Sequence, residues 1–490
     1  MEIAHSSNVM IQASGSTFNS AQGDIHIHNR DSESGTHNFR FVQKSIPYRC
    51  PNEFQGLRDL KLGVSLGAIH DSAERYPPPN CHPDTRKAVR QIILDWIQSE
   101  SSASSIFWLY GPAGAGKTAI LQAIAEFLCS PPEPDQNFGG TFFFSGGKQG
   151  RDQGHFFFST IAYQLAMNVT VPRLRQHVNR IMGSNPTLLT KSMDVQLRTL
   201  IVDAFQHWHL SPLPQHSYLV IIDGLDECRD KATQQSILRL LCETITVHQL
   251  PLRFLIGSRP ESHIRASFDQ ESLYTITHRV VLDETFNPGR DIRVFLQDGF
   301  AKICAENSIL SHVERPWPKE GIIDLLVQRS SGQFIYAATV LKFVGADFCS
   351  PTKQLALVLK PDPTAFSDLD QLYTQILSVY PSTVNIVQIL GMVIAFDNNL
   401  PEVIEDILGM EEGELRLVLH GLSSLMVGNG ESLNEGVISY TIPQFAHASF
   451  RDYLFDSSRS GPFYVNQQEY KAQITIQSFA LIMQLIRFWR

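Results

Sequence analysis

The chain has 490 residues, 43% of them hydrophobic and 18% charged, and a formal net charge of −9. That length carries two or three domains with sizeable cores, and the acidic balance makes a nucleic-acid partner unexpected. No apolar run approaches the roughly 20 residues that cross a bilayer, so no membrane association is expected, and the polar stretch 1–30 is not a signal peptide.

Residues 1–44 come first, a polar N-terminal tail or a short recruiting motif. The run from Gly15 to Asn29 ends in an alternation at Ile25 and Ile27. One reading is a disordered tail. The other is a strand-forming element that pairs with the edge of an unidentified protein partner.

Residues 45–104 read as a helical lead-in. A short apolar stretch runs from Leu60 to Ile69, and Cys81-His82-Pro83-Asp84-Thr85-Arg86 then introduces a helix with Asp84 as its expected N-cap. Val89, Ile92, Ile93, Trp96 and Ile97 mark the buried face of that helix. The seven cysteines (Cys50, Cys81, Cys129, Cys228, Cys242, Cys304 and Cys349) stand singly. Such spacing offers no metal site and fits a reducing, cytoplasmic setting.

The stretch around which the chain is organised lies in the next segment, 105–286. Ile106-Phe107-Trp108-Leu109-Tyr110 is an apolar run of strand length, and Gly111-Pro112-Ala113-Gly114-Ala115-Gly116-Lys117-Thr118 fits the pattern G-x-x-x-x-G-K-[ST] at every specified position. Ile120, Ala123, Ile124, Phe127 and Leu128 then recur at the period of a helix with one buried face. A strand feeding a glycine loop that opens a helix lets backbone N–H groups converge on phosphate oxygens. Gly111, Gly114, Ala115 and Gly116 form that cradle, Lys117 adds a positive charge, and the Thr118 hydroxyl can ligate Mg²⁺. A nucleotide is the expected ligand.

Further strands of an α/β sheet are expected at Thr141-Phe142-Phe143-Phe144, Tyr218-Leu219-Val220-Ile221-Ile222, Phe254-Leu255-Ile256-Gly257 and Val280-Val281-Leu282. Helices such as 156–168 and 232–247 complete the crossovers. The run at 218–222 is apolar throughout, as in a strand buried on both faces. It leads into Asp223-Gly224-Leu225-Asp226-Glu227. Asp223, at the strand tip, is placed for a second Mg²⁺ contact. Glu227, or Asp226, is placed to polarise a water toward the γ-phosphate; the bland alternative is an acidic cap on a strand-to-helix turn. Ser258-Arg259-Pro260-Glu261 offers Arg259 as a reader of the γ-phosphate, or else as a surface arginine in a salt bridge.

Past residue 286 the pattern turns helical. A lid domain, 287–380, opens with Ile292, Phe295, Leu296, Phe300 and Ile303 and continues with helices at 319–329, 333–346 and 368–379. Residues 381–456 read as a winged-helix domain, with helices near 384–396 and 412–425, the turn Gly428-Asn429-Gly430 and an alternating strand from Val437 to Ile442. The segment 457–490 ends in an amphipathic helix from Tyr470 to Trp489. No internal repeat of 20–50 residues is present.

The P-loop, the acidic Asp-Gly-Leu-Asp-Glu and the Gly-Ser-Arg-Pro of residues 257–260 together resemble the NACHT class of STAND signal-transduction P-loop NTPases. Cys81 to Trp96, Thr160-Ile161-Ala162-Tyr163-Gln164-Leu165 and Leu369-Asp370-Gln371-Leu372-Tyr373 resemble the nephrocystin-type NACHT proteins of filamentous fungi. The resemblance, over about residues 80 to 470, implies an α/β fold. Its parallel sheet would run in the order 5-1-4-3-2, followed by a helical lid and a winged helix that folds over the nucleotide. It also implies a winged-helix histidine at the β-phosphate of ADP, and Phe445-Ala446-His447-Ala448-Ser449-Phe450 gives that role to His447. ATP/ADP and Mg²⁺ follow as cofactors, with self-association in the ATP state and NLR-like signalling in innate immunity. Relatives carry a Gly-x-Pro in the lid; here Gly332-Gln333-Phe334 has no proline. No Asn-Lys-x-Asp guanine-reading motif is present, so ATP is expected over GTP.

The leading expectation is thus an ATP/ADP switch that hydrolyses slowly. A DNA-handling ATPase is a second reading, weakened because Arg416, Arg451 and Arg459 are scattered and form no basic helix. A non-hydrolysing scaffold is a third, weakened by the intact Lys117, Thr118, Asp223 and Glu227.

Overall fold

The structure, a computed structural model, describes residues 54–99, 104–130, 137–168, 172–206, 217–346, 349–360, 367–379, 383–395, 401–427, 431–434, 437–440, 444–466 and 468–470, together with 11–13, 16–21 and 24–29. Five strands make one parallel sheet: β1 Ile106–Tyr110, β2 Phe138–Phe143, β3 Tyr218–Asp223, β4 Leu252–Ser258 and β5 Thr277–Val281. They lie in the order β2-β3-β4-β1-β5.

Alternation along the strands sorts their side chains into two cores. Ile106 and Trp108, Val220 and Ile222, Phe254 and Ile256 enter one. Phe107 and Leu109, Leu219 and Ile221, and Leu255 enter the other. Successive Cβ atoms on a strand point to opposite faces, so a continuous apolar run buries both. The second face is covered by the helices Lys87–Gln98 and Lys117–Cys129. The first is covered by Phe157–Met167, Pro172–Ser184, Lys231–Thr246 and Ser262–Phe268.

Two local expectations need correction. The P-loop helix buries Ile120, Leu121, Ile124, Ala125 and Leu128, while Phe127 is 54% exposed. The apolar stripe is centred between Leu121 and Ile124, and Phe127 falls on its outer side. Asp84 does not cap the lead-in helix either. Arg86 holds the N-cap position at φ 57°, its backbone N–H donates to Asp291 Oδ2 at 2.8 Å, and Asp84 pairs with Lys87 at 2.7 Å. The N–H of the N-cap residue is thus satisfied by a carboxylate distant in sequence, which local spacing cannot reveal.

The remainder is helical: Pro288–Glu306, Glu320–Ser330, Phe334–Val344, Pro351–Leu359, Asp368–Leu377, Thr383–Ala395, Pro401–Leu408, Glu414–Gly421 and Ala448–Leu454. One apolar core joins them, from Ile292 to Val465, and it crosses the division at 380/381 expected from sequence. Glu431–Asn434 pairs with Val437–Tyr440, and Met426–Val427 with Gln444–Phe445, both antiparallel. The turn at 428–430, the end of the expected strand at Ile442 and the expected C-terminal helix beyond Tyr470 lie outside the described residues.

Residues Met1–Glu53 form a separate unit. Its described part is three consecutive antiparallel strands, Ile11–Ala13, Ser16–Ala21 and Asp24–Asn29, with Phe18 opposite Ile27. Among the described residues no helix is long and apolar enough to cross a membrane.

Candidate functional site

The sheet's carboxyl edge gathers the expected site residues. Tyr110 of β1 pairs with Ser258 of β4, so the loop starting at Gly111 and the turn starting at Arg259 leave the sheet side by side. Gly114 and Gly116 take φ 73° and 93°, the left-handed backbone that a glycine reaches without strain. A Cβ on Gly114 would collide with the Ile335 side chain. Ile335, on the helix Phe334–Val344, also donates its N–H to Gly114 O at 3.4 Å. The helix Phe334–Val344 therefore rests on Gly114 although the proline expected at Gly332-Gln333-Phe334 is missing.

Lys117 folds back over its own loop, donating from Nζ to Gly111 O and Pro112 O at 2.9 Å each. Burial pulls its ammonium below the usual lysine range, against the opposing pull of Asp226, Asp223 and Glu227. Asp223 is buried at the end of β3. Burial pushes its carboxyl up to about 6, opposed by a hydrogen bond to the Thr118 side chain and by the charges of Arg75 and Lys117. Its Oδ1 is buried with no hydrogen-bond partner. Such an orphaned carboxylate oxygen beside a P-loop hydroxyl is the donor set that a hard divalent cation takes, so Thr118 and Asp223 fit Mg²⁺.

Gly257 keeps this corner open. A Cβ there would lie 2.5 Å from Leu121 Cδ1 and 2.8 Å from Asp223 Oδ1. Gly257→Ala is expected to destabilise the protein by about 1–3 kcal/mol through overpacking, read as a lower thermal midpoint, and to weaken Mg²⁺-dependent binding more than metal-free binding.

The two acids after β3 take different partners. Glu227 Oε2 accepts the Gly146 N–H at 2.9 Å. Burial, then Asp226, push its carboxyl up to about 7, while the Gly146 bond and Arg451 oppose the shift. A carboxylate that titrates near neutrality is suited to accepting a proton. Asp226 instead holds Arg259: its Oδ1 accepts the Arg259 backbone N–H at 2.8 Å and its Oδ2 lies 3.2 Å from Arg259 Nε. Both its oxygens are engaged, so of the two candidate bases Glu227 has the better geometry.

The far end of the chain reaches the same edge of the sheet. Ala448–Leu454 begins at His447, whose Nδ1 accepts the Ser449 N–H at 3.1 Å. A backbone N–H can only donate, so in the neutral ring the proton sits on Nε2. Burial, then the charges of Arg259 and Lys117, lower the His447 pKa to about 4, which keeps the ring neutral at pH 7. Two residues further along the same helix reach the sheet module. Arg259 Nη1 donates to Asp452 Oδ2 at 2.6 Å, and the Arg451 guanidinium lies against Gly146, where any Cβ would collide with it. The helix is buttressed from Asp368–Leu377. Tyr373 Oη lies 2.9 Å from Ser449 Oγ, Thr374 Oγ1 2.7 Å from Tyr453 Oη, and Arg459 Nη2 2.7 Å from Asp370 Oδ1. Arg451 and Arg459, scattered in sequence, thus both make intramolecular contacts.

Several cations escaped the sequence reading. Arg75 stacks on the Phe143 ring at 3.7 Å and donates to Gln122 Oε1 at 2.7 Å. Arg151 donates to Phe143 O. Burial, then Arg151, pull Lys148 down to about 8. Gly146-Gly147-Lys148-Gln149-Gly150-Arg151, a glycine-rich basic loop directly after a strand, was the available signal. Arg86 is buried, donates to Ala115 O at 2.8 Å and lies over the Phe334 ring. Among the described residues no cluster of His, Cys, Asp and Glu has the arrangement of a protein-only metal centre.

Comparison with known proteins places residues 89–259 in a match to the family model described as nephrocystin 3, N-terminal. No curated protein matches the chain. Among solved structures, one of Drosophila ORC bound to DNA aligns over 78% of this chain and 97% of its own, at 13% identity and a TM-score of 0.29. A superposition that loose carries nothing further. The family match and the parallel sheet are compatible with a P-loop NTPase.

Proposed function

We propose that the chain is an ATP/ADP-dependent signal-transduction switch of the NACHT, nephrocystin-like kind. On this reading it binds Mg-ATP at the P-loop, hydrolyses it slowly and self-associates in the ATP state. The observation that carries the reading is the convergence of Lys117, Arg259 and the helix headed by His447 on one edge of the sheet, across more than 300 residues of sequence. A helix so distant, docked by an ion pair onto the turn beside the phosphate-binding loop, suits a device whose binding energy selects between two conformations.

Gly111, Gly114, Ala115 and Gly116 cradle the phosphates and Lys117 neutralises them. Mg²⁺, when held by Thr118 and Asp223, would offset charge on the β- and γ-phosphates. Glu227 accepts the proton of the attacking water, Arg259 recognises the terminal phosphate, and His447 Nε2–H faces the β-phosphate. The segment 381–456, with its helices and two short hairpin pieces, serves as the winged helix that closes the site. Residues 1–44 serve to recruit a protein partner through strand pairing, and the protein acts in the cytoplasm.

The first test is to denature freshly purified protein and chromatograph what it releases; ADP is expected, and a preparation that neither carries nor takes up nucleotide would overturn the reading. Glu227→Gln should then keep ADP affinity while slowing hydrolysis by about 10²–10⁴-fold. Because the Glu227 carboxyl titrates near 7 and the carboxylate is the active form, wild-type turnover should rise with pH through neutrality. The variant should lose that rise. Equal rates in the two proteins would remove Glu227 from the role.

A further inference from the structure

Arg259 is gripped from two sides of different origin. Asp226 lies 33 residues away on the same sheet module and engages both its backbone N–H and its Nε. Asp452 lies 193 residues away on the helix Ala448–Leu454 and takes Nη1 at 2.6 Å. A guanidinium offers five N–H donors in a rigid fork, and carboxylate and phosphate oxygens compete for the same donors. Arg259 stands at the tip of β4 beside the P-loop strand, and its charge is felt at both Lys117 and His447. The Asp452 carboxylate therefore sits on the cation that faces the phosphate end of the site.

We propose that Asp452 is a specificity-determining residue for the nucleotide: its carboxylate occupies on Arg259 the place a terminal γ-phosphoryl group would take, so the closed arrangement accepts a diphosphate and rejects a triphosphate. The inference rests on the nucleotide-switch reading above and names the residue that makes the switch sense phosphate number. A diphosphate leaves the Arg259–Asp452 pair in place. A triphosphate brings further negative charge against Asp452 and must displace it from Arg259. The pair is suited to exchange, because the Arg259 and Asp452 side chains retain 25% and 35% of their exposure. A partly exposed pair is more open to solvent screening than a bridge sealed in the interior. The helix itself does not depend on the pair: Ser449 and Tyr453 hold it to Tyr373 and Thr374.

The test is an equilibrium titration of the full chain with Mg-ADP and with a β,γ-imido ATP analogue, for wild type, Asp452→Asn, Arg259→Ala and the double variant. Asp452→Asn, nearly isosteric, is expected to raise affinity for the analogue by about tenfold while moving ADP affinity less than about twofold. The double variant should show no gain over Arg259→Ala, because the effect passes through that guanidinium. In wild type the preference for ADP should shrink as salt rises from 50 to 500 mM (about a threefold fall in Debye length), a readout that needs no variant. Wild type binding ADP with an analogue-to-ADP ratio indifferent to Asp452→Asn and to salt overturns the assignment of Asp452 and leaves the switch reading standing. Failure of wild type to bind either nucleotide overturns both.

Discussion

Lys117→Ala is expected to weaken binding of both ADP and ATP by about 10²–10⁴-fold while leaving the fold and its thermal midpoint nearly unchanged. A hydrogen bond to a charged partner is worth about 1.5–3 kcal/mol, and a lysine that reaches two phosphate groups contributes two of them. At about 1.4 kcal/mol per power of ten, that gives the range stated. The cradle should survive the change. Its shape is set by the left-handed backbone at Gly114 and Gly116, by Ile335 on the Gly114 carbonyl and by Arg86 on the Ala115 carbonyl. The two carbonyls that Lys117 caps, Gly111 O and Pro112 O, can turn to water. A secondary effect adds to the loss. Lys117 is one of the charges restraining the upward shift of the Asp223 carboxyl, so its removal pushes that group further toward the protonated form and weakens Mg²⁺ binding as well. Calorimetric titration with and without Mg²⁺ measures both parts. Affinity equal to wild type for both nucleotides would sink the assignment of the loop.

His447→Ala should release ADP about 10–100-fold faster than wild type. One hydrogen bond to a charged oxygen, present in the closed form and absent in the open one, shifts the balance by its whole value, about 1.5–3 kcal/mol. The tautomer supports the geometry: Nδ1 is committed to the Ser449 N–H, so Nε2 carries the proton available for the phosphate. With the pKa lowered to about 4, the ring donates as a neutral group across the physiological range, and release should show no titration step between pH 6 and 8 attributable to His447. Alanine also removes the helix N-cap, worth about 1 kcal/mol. His447→Asn separates the two effects, because asparagine caps well but cannot extend to the position of Nε2. Fast release from both variants identifies the phosphate contact; fast release from alanine alone assigns the effect to the cap. Ala at His312, an exposed residue, serves as the control.

What could be read from sequence was what the chain encodes locally. The P-loop, Asp223 and Glu227 each announce themselves within a few residues, because a strand, a glycine turn and a helix start must follow one another there. The apolar run at 218–222 likewise carries its own burial. What escaped was whatever depends on a partner far along the chain. Asp226 and Glu227 are neighbours with the same charge, and their different surroundings come from Arg259 and Gly146, which no local pattern pairs with them. The contacts of Asp452 and Arg451 were invisible for the same reason, as was the Asp291 carboxylate that takes the Arg86 N–H at the start of the lead-in helix. Phe127 shows a different limit: a helix period finds the apolar stripe, but which flank of it meets the sheet is decided by packing.

The shared interior of the helical half has a mechanical consequence. From Ile292 to Val465 its apolar side chains form one cluster, distinct from the two that line the sheet. Close-packed interiors resist internal shear, since sliding would open voids. Packing of this kind favours movement of the helical half as one body. The chain passes from the sheet to this half in the short stretch between Leu282, buried against the sheet, and Pro288, where Asn287 turns at φ 47° into the first long helix. That half touches Gly114 through Ile335 and Arg259 through Asp452. Both contacts are made by helices packed into the same cluster, so a change that loosens Asp452 from Arg259 is expected to be felt at the Ile335–Gly114 contact as well.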